Sequence, residues 1–150
     1  MMVEQKKAKN KDRPVSAASA KGRQLVIVES PAKARTLNKY LGPDFVVMAS
    51  VGHVRDLPDK NPKGVRMPVP GVDLENHFKP TYQIIKGKSK TVSDLKKAAR
   101  DAAGIWLATD LDREGEAIAW HLTDALGVGT EEAKRVVFNA ITKSEIEKAF

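Results

Sequence analysis

"GIWLATDLDREGEAIAWHL" occupies Gly104–Leu122. Its first six residues, Gly104–Thr109, are a short apolar run of the kind that forms a strand buried on both faces. Asp110, Asp112 and Glu114 follow at alternate positions, with Arg113 between the last two. Arg113–Leu126 reads as a helix, and Gly127 closes it. A strand that passes through an acidic turn straight into a helix is one unit of an alternating α/β fold.

The same alternation extends in both directions. Gln24–Glu29 (QLVIVE) is a β-branched run that predicts a buried strand. Ser30 is a good N-cap and Pro31 suits the first helical position, so Ala32–Leu41 is expected to be a helix with Ala34, Leu37 and Leu41 on one face. Gly42-Pro43 ends it, and Phe45–Ala49 predicts a second strand. Residues 52–80 contain five prolines and are expected to be an irregular excursion. Tyr82–Ile85 is read as a short strand and Ser89–Ala103 as a helix, with Val92, Leu95, Ala99 and Ala102 at helical spacing. Arg135–Phe138 is read as a last strand, and Thr142–Phe150 as the start of another helix. The expected architecture is α/β, a Rossmann-like, largely parallel sheet flanked by helices.

The chain has 150 residues, enough for one domain and its core, and carries a net charge of +7. An excess of this sign favours an anionic partner. Residues 1–23 hold seven Lys and Arg against two acids, which accounts for five of those charges. They lack apolar periodicity and read as a disordered, basic, solvated tail. There is no cysteine, so disulfides and thiolate metal sites are excluded. No apolar stretch is long enough to cross a membrane, and the N-terminus has no apolar signal core, so a soluble cytoplasmic protein is expected.

Ligands of open parallel sheets bind beyond the carboxyl ends of the strands. If the strands ending at Glu29 and Thr109 are adjacent, then Glu29, Asp110, Asp112 and Glu114 converge on one edge. Such crowding of like charge calls for neutralisation, and a hard divalent cation such as Mg2+, with its preference for carboxylates, waters and phosphate oxygens, would supply it. The sequence admits three other readings. A calcium loop starting at Asp110 places Gly115 correctly, but its twelfth position is His121 where a glutamate is needed. Gly87-Lys88-Ser89 looks like the end of a phosphate loop, but the required first glycine would be residue 82, which is Tyr82. The third is an acidic helix N-terminus favoured by the dipole alone, with Arg113 as local partner.

Three stretches in order, "VIVESPAKARTLNKYL" (26–41), "SVGHVRDLP" (50–58) and "ATDLDREGEAIAWHL" (108–122), closely resemble the Toprim domain of bacterial type IA DNA topoisomerases. "RVVFNAITKSEIEKAF" (135–150) is similar to that family's passage into its next domain. The resemblance covers about residues 24–150 and implies three parts: a tail over 1–23, a Toprim domain over 24–138, and the start of a further domain over 139–150. It implies an isomerase that relaxes negatively supercoiled DNA, cutting a single-stranded segment through a tyrosine and resealing it with Mg2+. Glu29 is then the acid nearest the scissile phosphate, and Asp110, Asp112 and Glu114 join it as metal ligands. Lys33 and Arg113 are further catalytic candidates. Lys33 and His53 are candidates for contact with DNA.

A lysine in the first turn of a helix opposes the dipole, so Lys33 suits a bound phosphate better than it suits the helix. Arg113 could contact phosphate or pair with Asp110 or Asp112. Arg55 and Asp56 could orient His53. Trp106 and Trp120 are read as packing residues, and no single-strand stacking platform is visible in the sequence. Neither Tyr40 nor Tyr82 sits in the family's nucleophile context. The chain is therefore expected to be an N-terminal piece of a longer enzyme, inactive alone, working with the remaining domains of the same polypeptide at the nucleoid. A tyrosine-independent Toprim nuclease or primase-like transferase, and a non-catalytic module binding through the basic tail, are the competing functions.

Overall fold

The computed structural model describes residues 20–150 other than Thr130 and Asn139. The basic tail read at 1–23 lies outside them, except for its last four residues. In chain order the elements are β1 (Gln24–Val28), α1 (Pro31–Leu41), β2 (Phe45–Ala49), β3 (Arg55–Asp56), β4 (Val72–Asp73), β5 (Lys79–Pro80), β6 (Gln83–Ile84), α2 (Ser89–Asp101), β7 (Gly104–Leu107), α3 (Arg113–Leu126), β8 (Ala133–Arg135) and α4 (Lys143–Ala149).

The main sheet has four parallel strands in the order β2-β1-β7-β8. β1 is central, and Leu25, Val26, Ile27 and Val28 are all fully buried. Successive strand residues face opposite sides, so an unbroken apolar run requires a cover on both faces. The packing follows that rule. Leu25 and Ile27 join Val92 and Leu95 of α2 and Ile118 and Leu122 of α3 in one core layer. Val26 and Val28 join Ala34 and Leu37 of α1 and Ile146 of α4 in the other. From β1 the chain crosses by α1 to β2 on one side; from β7 it crosses by α3 to β8 on the other. Right-handed crossovers in opposite directions put their helices on opposite faces. The direction reverses between β1 and β7, whose registers pair Ile27 with Leu107. That boundary is where this class of sheet leaves a crevice.

Helix starts follow local chemistry. The Ser30 hydroxyl accepts from the Lys33 backbone N–H, with Pro31 in the first turn of α1. The Thr142 hydroxyl accepts from Glu145 N–H and starts α4. α4 then lies on α1, and its flanking Phe150 packs edge-on against Phe45.

Three expectations need correction. The last strand lies at Ala133–Arg135, two to three residues ahead of the predicted Arg135–Phe138, although Val136 still donates to Leu107 O. The proline-rich excursion is not wholly irregular. β3 pairs with β6, and β4 with β5, as two-residue antiparallel ladders. Such ladders are short enough to fit between prolines. Trp120 is half exposed rather than packed away, whereas Trp106 is partly covered and donates to Gln24 Oε1 at 2.8 Å.

Candidate metal and phosphate site

β1 ends at Val28, so Glu29 stands at the carboxyl edge of the sheet. β7 ends at Leu107, and Ala108–Leu111 carries the chain over the same edge. Because the two strands are neighbours, the carboxylates meet. Glu29, Asp110, Asp112 and Glu114 line one cleft of about 130 Å3 together with Gly52, Gly115 and Ile118. The sequence-predicted convergence is present.

The acids are not gathered around a common point, however. Lys33, 8% exposed, stands between two of them, 2.7 Å from Glu29 Oε1 and 2.6 Å from Asp110 Oδ1. Its place in the first turn of α1 makes this possible, since position 33 lies one helical turn beyond Glu29. The hydrogen bond from Lys33 holds the Asp110 carboxyl below its ordinary value against the opposing effect of burial, with Arg135 adding to the shift. Asp112 is the N-cap of α3, and its Oδ1 accepts from Gly115 N–H at 2.6 Å. Glu114 lies 3.8 Å from His53 Nε2. The dipole reading of this helix start is thus correct for Asp112, and it coexists with the convergence.

Among the described residues, no three carboxylate or imidazole groups stand close enough to grip an ion. The donor set nevertheless fits one. All its oxygens are hard, it brings four carboxyl groups to one cleft with the single ammonium of Lys33, and Glu29 keeps a buried Oε2 without a hydrogen-bond partner. An unsatisfied buried carboxylate oxygen is costly, and a cation or a proton would satisfy it.

The acidic turn is held from behind by residues that the sequence did not single out. Arg135 Nη2 donates to Asp110 O at 2.8 Å, its Nη1 donates to Leu107 O, and Glu116 accepts from Nε and Nη2. The buried Thr109 hydroxyl donates to Gly115 O at 2.7 Å. A methyl group on Gly115 would stand 1.9 Å from Asp110 O, so only glycine lets the helix start pass the turn. Arg135 could have been suspected as the one cation opening an apolar run whose far end reaches the same edge. Arg113, by contrast, is exposed and forms no ion pair among the described residues, so of its two alternatives the pairing with Asp110 or Asp112 is absent there.

His53 arrives from β2 through a strained turn. Val51 has φ 57, a left-handed conformation that a β-branched residue seldom adopts, and Gly52 follows at φ 78. Gly52 N–H donates to Glu29 O, Ser50 Oγ donates to Gly52 O at 2.9 Å, and Lys88 Nζ donates to Val51 O. His53 is thereby fixed beside the cleft. Arg55 and Asp56 do not orient it. Arg55 instead donates to His121 Nδ1 and pairs with Asp124 at 2.5 Å.

A family model described as the Toprim domain matches residues 24–141. The chain belongs to the Toprim family. Its Toprim fold is similar to that of full-length topoisomerase I from Thermotoga maritima, at 44% identity and a TM-score of 0.69, over 83% of this chain and 20% of that one. The DNA topoisomerase 1 of Pseudomonas aeruginosa is 46% identical over 155 residues, covering 86% of this chain and 18% of that protein. The Escherichia coli DNA topoisomerase 1 is 48% identical over 150 residues, covering 86% and 17%. The Toprim chain therefore spans less than a fifth of the length of these curated relatives. Among the described residues no helix is long and apolar enough to cross a membrane.

Proposed function

We propose that this chain is the Toprim domain of a bacterial type IA DNA topoisomerase and supplies the Mg2+-binding half of its cleavage site. The observation that carries the reading is the single cleft lined by Glu29, Asp110, Asp112 and Glu114, with Lys33 buried between two of these acids. The attacking tyrosine comes from outside these residues. Tyr40 packs against the α1 core layer and Tyr82 against His121, which leaves neither on the cleft. Residues 24–138 form the central Toprim unit, and 139–150, whose Ile146 packs into its core layer, lead toward the next one. The substrate is a single-stranded segment of negatively supercoiled DNA, and the protein works in the cytoplasm, at the nucleoid.

Each side chain has a task in that reaction. Lys33 meets the scissile phosphate with its ammonium and exchanges part of its contact with Asp110 for a phosphate oxygen. Among the described residues Glu29 Oε2 has no hydrogen-bond partner, so it can hold the proton that the leaving 3′-oxygen needs and take it back on resealing. His53 holds the adjacent backbone, and Arg113, exposed at the start of α3, can reach a phosphate. Asp110, Asp112 and Glu114 would hold Mg2+, joined by Glu29 only while its carboxyl is unprotonated; the ion when bound neutralises charge at the reacting phosphate.

The test follows backbone amides of the chain by NMR during a Mg2+ titration. Saturable shifts centred on Glu29 and residues 110–114, lost in Asp110→Asn/Asp112→Asn, are expected; absence of any localised shift overturns the metal assignment. In parallel, the chain alone should leave single-stranded DNA uncut with Mg2+ present. Hydrolysis by the chain alone would overturn the tyrosine reading in favour of a nuclease.

A further inference from the structure

We propose that the exposed face of Trp120 is a stacking subsite for one unpaired base of single-stranded nucleic acid, placed along α3 from the acidic cleft. It rests on the DNA reading above and deepens it.

Trp120 is 50% exposed, yet its ring is held on several sides. Tyr82 meets it edge-on with centroids 5.7 Å apart, and His121 at 4.9 Å. The Arg55 guanidinium lies 5.6 Å from the Trp120 ring and 5.1 Å from that of Tyr82. Arg55 is itself fixed by Asp124 and by His121 Nδ1. A ring clamped in this way loses little freedom when something stacks on it.

The chemistry of the patch selects a base. Arg55 lies over one face of the ring and Asp124 answers its charge, so a base has the half-exposed remainder of the indole, and an aromatic ring receives any base. The neighbours of Trp120 one turn away on α3, Glu116 and Asp124, are exposed and charged. A stable protein interface needs on the order of 1,000 Å2, and half of one exposed indole offers about a tenth of that.

Its position fits the same strand as the cleft. Glu114 lies 3.8 Å from His53, the His53 and His121 rings are 6.4 Å apart, and His121 touches both Tyr82 and Trp120. From Glu114 to Trp120 the helix rises about 9 Å. At roughly 3.4 Å per stacked nucleotide, that spans two to three nucleotides.

The test uses the chain with Trp106→Phe, which leaves Trp120 as its sole indole. The probes, at low salt, are an oligothymidylate of roughly ten nucleotides and an abasic sugar-phosphate strand of the same length. Expected are saturable quenching by oligothymidylate and binding weaker for the abasic strand by roughly five- to a hundredfold. Trp120→Ala should lose a similar factor, and Trp120→Phe should keep most of the affinity. Equal binding of the two strands, or Trp120→Ala as tight as the parent, overturns the stacking subsite while leaving the DNA reading intact, and Trp120 then becomes a protein contact. No binding of either strand overturns both. The two-strand comparison needs no change at Trp120, so a misfolded Trp120→Ala cannot shield the proposal.

Discussion

Gly115 shows how tightly the acidic turn is packed. Its missing side chain leaves room for Asp110 O, which the Arg135 guanidinium also holds. Gly115→Ala should destabilise the fold by about 1–3 kcal/mol, the usual cost of forcing an extra methyl into a closed space. Thermal melting would show this as a fall of roughly 2–12 °C, and an unchanged midpoint would mean the turn can yield. At this scale the sequence was partly legible. The acids were readable because like charges at alternate positions are costly without a purpose. Arg135 was not, because its role depends on which strand lies beside β7. Trp120 was misread from residue type alone. Ile118 and Leu122 are one turn apart and buried, and position 120 lies about 200° around the helix from Ile118, toward solvent.

α3 joins two demands at its N-cap. Asp112 caps the helix through Gly115 N–H, and it also lines the cleft. The demands separate by substitution. Asp112→Asn keeps an oxygen that can cap and should leave stability within a few tenths of a kcal/mol, whereas Asp112→Ala should cost about 1 kcal/mol. Both should weaken Mg2+ binding. Urea denaturation of the pair checks the first point, and equal stability of the two variants would show that the cap contributes nothing. Element positions were largely legible because buried strands are short β-branched runs and helices begin at Ser30, Asp112 and Thr142. The shift of the last strand to Ala133–Arg135 was not, because Val136 stays buried and bonded to Leu107 beyond the strand end, so the apolar run and the ladder do not coincide.

For the molecule as a whole, His121 and Asp110 each give stability a dependence on acid pH. Burial, then the neighbouring Arg55 and His53, pushes the His121 imidazole below its ordinary value of 6.5. The folded state thus prefers it neutral. The stability this represents is fully present above about pH 6.5 and is lost as pH falls below that toward the folded value. Asp110 is lowered below its ordinary 3.8 by Lys33, so its contribution is present above about pH 3.8 and lost at more acid pH. Urea midpoints measured from pH 7.5 down to 3 should therefore fall in two stages. His121→Gln should remove the first stage alone, and a first stage that persists in that variant would assign it to another group.

The join between β1 and β7 has one more consequence. Hydrogen-bonded strands run about 4.8 Å apart whatever side chains they carry. Glu29 and Asp110 extend from two such neighbours, and a single ammonium spans the gap between their carboxylates at 2.7 and 2.6 Å. The strands thus fix where the two acids set out, and the ammonium of Lys33 sets how far apart their carboxylates come to rest.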